Sequence, residues 1–310
     1  MCGLTGVLLY PAHRSAEEWQ EIVDVATVNL LFNEERGREA AGVAVIQADG
    51  GCQLFKQPTP ASELVEMEGY RRLLSTIGDD AVCILGHTRM PTKGSVWRNV
   101  NNHPLLTEHV VGVHNGVIFN DDALFAQTGL PRAGEVDSEV IFRLLDTASP
   151  LEKNGRYLEL VERKVGLLDG IFATLSVDLR RPTGLLVLKH LRPLCLHYEE
   201  KWRALFFSSR YLFLRRAFGR SVITEALESG QGFYFDATRL PQNGSQPLFS
   251  FQYEGKRSDS SPYEGKRSDS SPYEGKRSDS SPYEGKRSGS SLYEGKRSGS
   301  FDIATTEVVE

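Results

Sequence analysis

Apolar and polar positions along the chain change period several times, and each change predicts an element. From Ala16 to Phe32, the residues Trp19, Ile22, Val23, Ala26 and Leu30 recur at helical spacing, with Ser15 placed to cap the first turn. Ahead of that helix, "GLTGVLLY" is almost wholly apolar and predicts a buried strand. Short β-type runs follow: "AGVAVIQA", "GCQLFKQ", "AVCILGHT" and "HVVGVHNGVIFN". Two further helices are predicted, one over Asp137–Leu145 with Asp137 or Ser138 as its cap, the other over Arg156–Val165. Then "GIFATLSVD", "GLLVLKH", "ALFFSSR" and "GFYFDA" supply more strands, several nearly all apolar. Continuous apolar runs of this kind belong to sheets buried on both faces. Strand sets with helices grouped between them predict an α+β chain of two packed sheets covered by helices.

The pattern stops near residue 250. From Tyr253 the chain repeats "YEGKRSDSSP" three times, then "YEGKRSGSSL" and "YEGKRSGSFD", five units of ten residues ending at Asp302. Each unit carries one aromatic and almost no aliphatic residue, too little to offset the entropy of ordering. The expected division is a folded domain over 2–250, a disordered repeat tail over 253–302 and a short terminus over 303–310.

Composition narrows the function classes. The 310 residues carry a formal charge of −5, which gives no electrostatic reason to expect nucleic acid. No apolar run approaches the ~20 residues of a membrane-spanning helix, and no basic stretch precedes a cleavable apolar one. Four cysteines, Cys2, Cys52, Cys83 and Cys195, are widely spaced, which fits a reducing compartment; cytoplasm is the expectation.

One cysteine stands directly behind the initiator. Removal of Met1 leaves Cys2 with a free α-amine beside its thiol, a nucleophile carrying its own base. Thiols titrate near ~8.5 and α-amines near ~7.7–8.0, so at neutral pH a fraction of the amine can take the thiol proton. Gly3 and Gly6 would allow close approach to it. Farther on, a buried-looking strand runs into "GHTRMPTKGS", where Arg89 stands as a carboxylate clamp or as a solvated loop residue. In "GVHNGVIFN", Asn115–Gly116 reads either as a two-residue hairpin turn or as a pair of oxyanion donors. Asp137 reads either as a helix cap or as an acceptor for an ammonium group. His87, His103 and His114 match no zinc spacing, so no metal or other cofactor is expected, and His103 reads as a structural or loop histidine.

Each feature alone is weak, but their order is not. Cys2, "ERGREAAGVAV", "GHTRMPTKGS", "NNHPL", "VHNGVIFN", "VDSEVIF", "LDGIFATLSVD", "LRPLCL" and "FFSSR" follow one another collinearly to about Arg210. In that order the chain resembles the class II glutamine amidotransferases, whose glutaminase domains use an N-terminal cysteine nucleophile. The resemblance implies the four-layer αββα sandwich of N-terminal nucleophile hydrolases. It implies Cys2 as nucleophile, Asn115 and Gly116 as the oxyanion hole, Arg89 for the α-carboxylate of glutamine and Asp137 for its α-ammonium. Arg36 matches a family arginine near the nucleophile, and Thr92 a substrate-loop position. Two positions depart: several relatives carry an aromatic after the carboxylate-binding arginine and a histidine after the loop threonine, where this chain has Met90 and Lys93.

The implied activity is hydrolysis of the glutamine side-chain amide through a Cys2 thioester, with ammonia passed to a separate synthase subunit. Nothing of synthase size follows Arg210. The alternatives are a γ-glutamyl peptide hydrolase, or a non-catalytic regulatory or interaction subunit that keeps the fold. No nucleic-acid or membrane partner is expected.

Overall fold

The computed structural model describes residues 1–151 and 156–253; the repeats and terminus expected beyond Tyr253 lie outside the described residues. Two antiparallel sheets form the centre. The first contains β1 (Gly3–Leu9), β2 (Ala40–Gln47), β3 (Cys52–Gln57), β4 (Ala81–Arg89), β9 (Cys195–Glu199), β10 (Ala204–Ser208) and β11 (Glu225–Ala226), in the order β11-β9-β10-β1-β4-β2-β3. The second contains β5 (Leu105–Leu106), β6 (Val110–Ile118), β7 (Gly170–Asp178), β8 (Gly184–His190), β12 (Gln231–Asp236) and β13 (Phe249–Gln252), in the order β13-β12-β8-β7-β6-β5.

Side chains alternate across each strand and so divide the core into three slabs. Leu4 and Leu8 of β1 meet Val111, Val113, Leu175 and Val177 between the sheets. Phe207 of β10 and Phe235 of β12 close the same slab edge to face, with ring centroids 5.6 Å apart. The opposite face of β1, Val7 and Leu9, packs under α1 (Ala16–Asn33), with α2 (Ala61–Leu64), α3 (Glu68–Leu74) and α7 (Tyr211–Ala217) in the same cluster. On the second sheet, Val110, Ile118 and Phe172 pack against α4 (Asp121–Thr128), α5 (Glu139–Asp146) and α6 (Arg156–Val165). A short α8 (Leu240–Asn243) adds Leu240 to the slab between the sheets. Helix, sheet, sheet, helix is the four-layer sandwich expected. Each leucine buried in these slabs contributes roughly 1.5–3 kcal/mol of transfer free energy.

Three local readings resolve differently from one another. Ser15 does cap α1, as half of a reciprocal capping box with Glu18. Ser138 and Asp137, by contrast, cap nothing by side chain: α5 begins at Glu139, Asp137 turns to β6 and Ser138 to His114. The Asn-Gly pair is no hairpin turn either. β6 runs straight through it, with Asn115 paired to Ala173 and Gly116 to Phe172. At the tail boundary, Tyr253, expected as the first disordered residue, is buried, with its ring stacked 6.0 Å from Phe172.

Candidate active site

Cys2 stands one residue ahead of β1, an interior strand held by β4 on one side and β10 on the other. Register fixes its neighbours: Gly3 lies opposite Thr88, which brings Cys2 beside Arg89 and Met90 where β4 ends. Gly3 must be glycine, because a Cβ there would stand 2.5 Å from Thr88 Oγ1 and 2.7 Å from Asn33 Cβ. The Cys2 Sγ accepts the Met90 N–H at 3.4 Å, and Arg36 Nε donates to the Cys2 carbonyl at 2.7 Å. Met1 covers the position: its amine meets Met90 Sδ, and its own Sδ lies 3.4 Å from Arg192 Nη1. Burial pushes the Cys2 thiol above its ordinary value, opposed by the Met90 N–H, the terminal amine and Arg89.

Cys2 opens into a narrow cleft that it shares with Arg89, Met90, Thr92, Lys93, Gly116 and Asp137. Arg89 is buried and aimed by its own loop: Nη1 donates to Asn102 Oδ1 at 2.7 Å, and Nη2 to the Lys93 and Gly94 carbonyls at 2.7 and 2.9 Å. Asp137 Oδ2 accepts the Ile118 N–H at 2.7 Å, and burial raises its carboxyl to about 6. Thr92 is exposed at the mouth.

Gly116 adopts φ 148°, and a Cβ there would lie 1.9 Å from the Ile171 carbonyl oxygen; its strand can pass β7 only without a side chain. Asn115 is 1% exposed, and its Nδ2 has no hydrogen-bond partner among the described residues. A buried amide donor without a partner is costly in a resting fold and suits a charge that arrives later. Of the seven residues singled out from sequence, five therefore line one cleft, while Arg36 and Asn115 flank it.

The floor went unread in the sequence. His103 and His114 line the cleft, and His87 stacks on His103 with centroids 4.3 Å apart. All three are buried; burial lowers His87 and His114 to about 3 and His103 well below its ordinary value, so the cluster is neutral. His103 lies in the loop that precedes β5, as expected, and is buried against the site. His114 Nδ1 lies 2.7 Å from Ser138 Oγ. Only the alternation of β4 and β6 could have signalled that His87 and His114 face each other, and the offset of the two strands is invisible locally. Among the described residues, no group of three or more His, Cys, Asp or Glu side chains is arranged to hold a metal ion.

Comparison with known proteins bears on the same region. Residues 87–216 match the model of a family described as glutamine amidotransferase domain. The chain is 27% identical over 212 residues to 7-cyano-7-deazaguanine synthase of Sulfolobus acidocaldarius, an alignment covering 67% of this chain and 43% of that protein. It is 29% identical over 199 residues to glutamine–fructose-6-phosphate aminotransferase of Escherichia coli, covering 63% of this chain and 30% of the relative. This chain thus spans less than half the length of either. In fold it is similar to glutamine phosphoribosylpyrophosphate amidotransferase of B. subtilis, with a TM-score of 0.59 at 19% identity over 83% of this chain and 50% of that one. Residues 87–216 thus match a glutamine amidotransferase domain, and the chain, with Cys2 at the head of an αββα sandwich, is similar in sequence and fold to glutamine amidotransferases.

Proposed function

We propose that this chain hydrolyses the side-chain amide of glutamine and hands the ammonia to an acceptor on another chain. The observation that supports this most is the sharing of one cleft by Cys2, Arg89, Asp137 and Gly116. A cation and an anion held at fixed separation suit the two charged ends of an amino acid, and tethering both ends removes orientational freedom before reaction.

In this reading Met1 is removed and the α-amine of Cys2 takes the thiol proton. The thiolate attacks the amide carbon, and the negative charge that develops on its oxygen meets Asn115 Nδ2 and the Gly116 N–H. A donor of this kind is typically worth about 3–4 kcal/mol in the transition state. Collapse breaks the C–N bond; the proton held on the α-amine goes to the leaving nitrogen, and ammonia departs. Water, giving its proton to the same amine, then opens the γ-glutamyl thioester to glutamate and restores the thiol. Thr92 stands at the mouth where substrate enters, and Arg36 holds the Cys2 carbonyl so that the thiol and amine keep their orientation.

The test is intact mass of the full chain before and after incubation with 6-diazo-5-oxo-norleucine, a glutamine-shaped electrophile, followed by peptide mapping. Loss of Met1 and a single adduct on Cys2, blocked by glutamine, is the expected result. A retained Met1, or a processed Cys2 that takes no adduct, would remove the glutaminase reading and favour the non-catalytic subunit.

A further inference from the structure

The near half of the loop that follows β4 is fastened by charge at Lys93. Lys93 Nζ lies 2.6 Å from Asp121 Oδ2 and 2.9 Å from Asp122 Oδ1. Arg132 approaches the same two carboxylates, at 3.0 Å from Asp121 and 2.5 Å from Asp122. The Asp121 side chain is 6% exposed and Arg132 26%, against 37% for Lys93 and 72% for Asp122, so the pairs on Asp121 are partly withdrawn from solvent, where screening weakens ion pairs less, and those on Asp122 are not. Arg132 is held in place besides by the Phe125 ring, 4.7 Å beneath its guanidinium, and by the Gly134 carbonyl at 3.1 Å.

Lys93 also acts through its main chain. Its carbonyl accepts from Arg89 Nη2 at 2.7 Å, beside the Gly94 carbonyl at 2.9 Å. The one residue therefore ties the start of α4 to the guanidinium in the cleft: the ammonium grips Asp121 and Asp122, and the carbonyl aims Arg89. The far half of the loop is anchored separately on Glu135, which accepts from Ser95 N at 3.3 Å, Asn101 Nδ2 at 2.9 Å and Arg98 Nη1 at 2.5 Å. Loss of the Lys93 ammonium would loosen only the near half.

We infer that Lys93 is a positioning residue for substrate binding, and that its ion pairs with Asp121 and Asp122 hold the loop so that Arg89 stays aimed at the substrate carboxylate. This rests on the glutaminase reading above. A lysine reaches both carboxylates of α4 with one flexible stem.

The experiment compares Lys93→Met and Lys93→Arg with the unaltered full chain, by glutamine kinetics and by amide hydrogen exchange. In Lys93→Met, KM is expected to rise about tenfold with kcat within about twofold, the mark of binding lost equally from ground and transition states. Exchange is expected to quicken over 90–94 and to stay unchanged over 95–101. Lys93→Arg is expected to restore both. Unchanged exchange in Lys93→Met, a fall in kcat without a rise in KM, or no rescue by arginine would overturn the assignment. If Cys2 of the unaltered chain takes no 6-diazo-5-oxo-norleucine adduct, the glutaminase reading fails by itself, while exchange in Lys93→Met still decides whether the ion pairs hold the loop.

Discussion

Asp137, which precedes α5, hangs its carboxylate on the last residue of β6: its Oδ2 accepts the Ile118 N–H at 2.7 Å. That bond favours the ionised form, yet burial outweighs it and the carboxyl titrates at about 6. If the ionised form receives the α-ammonium of glutamine, kcat/KM should decline as the pH falls through about 6. The profile of kcat should bend at lower pH, because bound ammonium stabilises the carboxylate. A kcat/KM profile flat down to the ordinary carboxylate range would refute this role.

The same shift has a consequence for stability. The folded pKa lies above the ordinary 3.8, so the contribution of Asp137 is fully present below 3.8 and is lost as pH rises through about 6. Asp137→Asn keeps an oxygen for the Ile118 N–H and removes the buried charge. At neutral pH it should unfold at higher temperature, by up to about 2–3 kcal/mol, and lose affinity for glutamine. Melting curves at neutral and acid pH check the sign, since the advantage should vanish in acid.

Asn115→Ala should separate chemistry from folding. The Nδ2 donor is unpartnered in the resting site. Its loss should lower kcat by about 10²–10³-fold while KM and the melting temperature change little. An unchanged kcat would exclude Asn115 from the oxyanion hole.

Gly116→Ala should do the reverse. A Cβ at φ 148° would press within 1.9 Å of the Ile171 oxygen and 2.7 Å of the Phe172 Cα, both main chain of β7. Strain against backbone that cannot give way should cost more than about 3 kcal/mol, read as a collapse of the melting temperature or of soluble yield.

Phe207→Ala removes one of the two rings that join the sheets. It should cost about 3–5 kcal/mol, measured as a lower urea midpoint with an unchanged slope.

Legibility differed by element for physical reasons. α1 could be read because its apolar stripe and the Ser15–Glu18 box point the same way; the helix closes at Asn33, one residue beyond the expected Phe32. α2 and α3 span four and seven residues, too short to show a period, and β5 and β11 are two-residue strands defined only by their partners. The wall of the cleft was legible as an ordered series of motifs, from Cys2 through Arg89 to Asp137. Its floor was not, because His87 and His114 stand on strands of different sheets and His103 reaches them from the loop before β5. Lys93 stood in the sequence as a departure from its relatives; its partners Asp121 and Asp122 come 28 and 29 residues later, beyond any local pattern.

Strand β1 begins one residue after Cys2 and is gripped along its length by β4 and β10. An affinity tag fused ahead of Cys2 would leave that grip intact. Such a preparation would express, purify and melt like the untagged chain, yet its thiol would have no free amine beside it. Under the proposed mechanism the choice of which terminus to label is therefore a choice between a working sample and an inert one, and ordinary quality control would not tell the two apart.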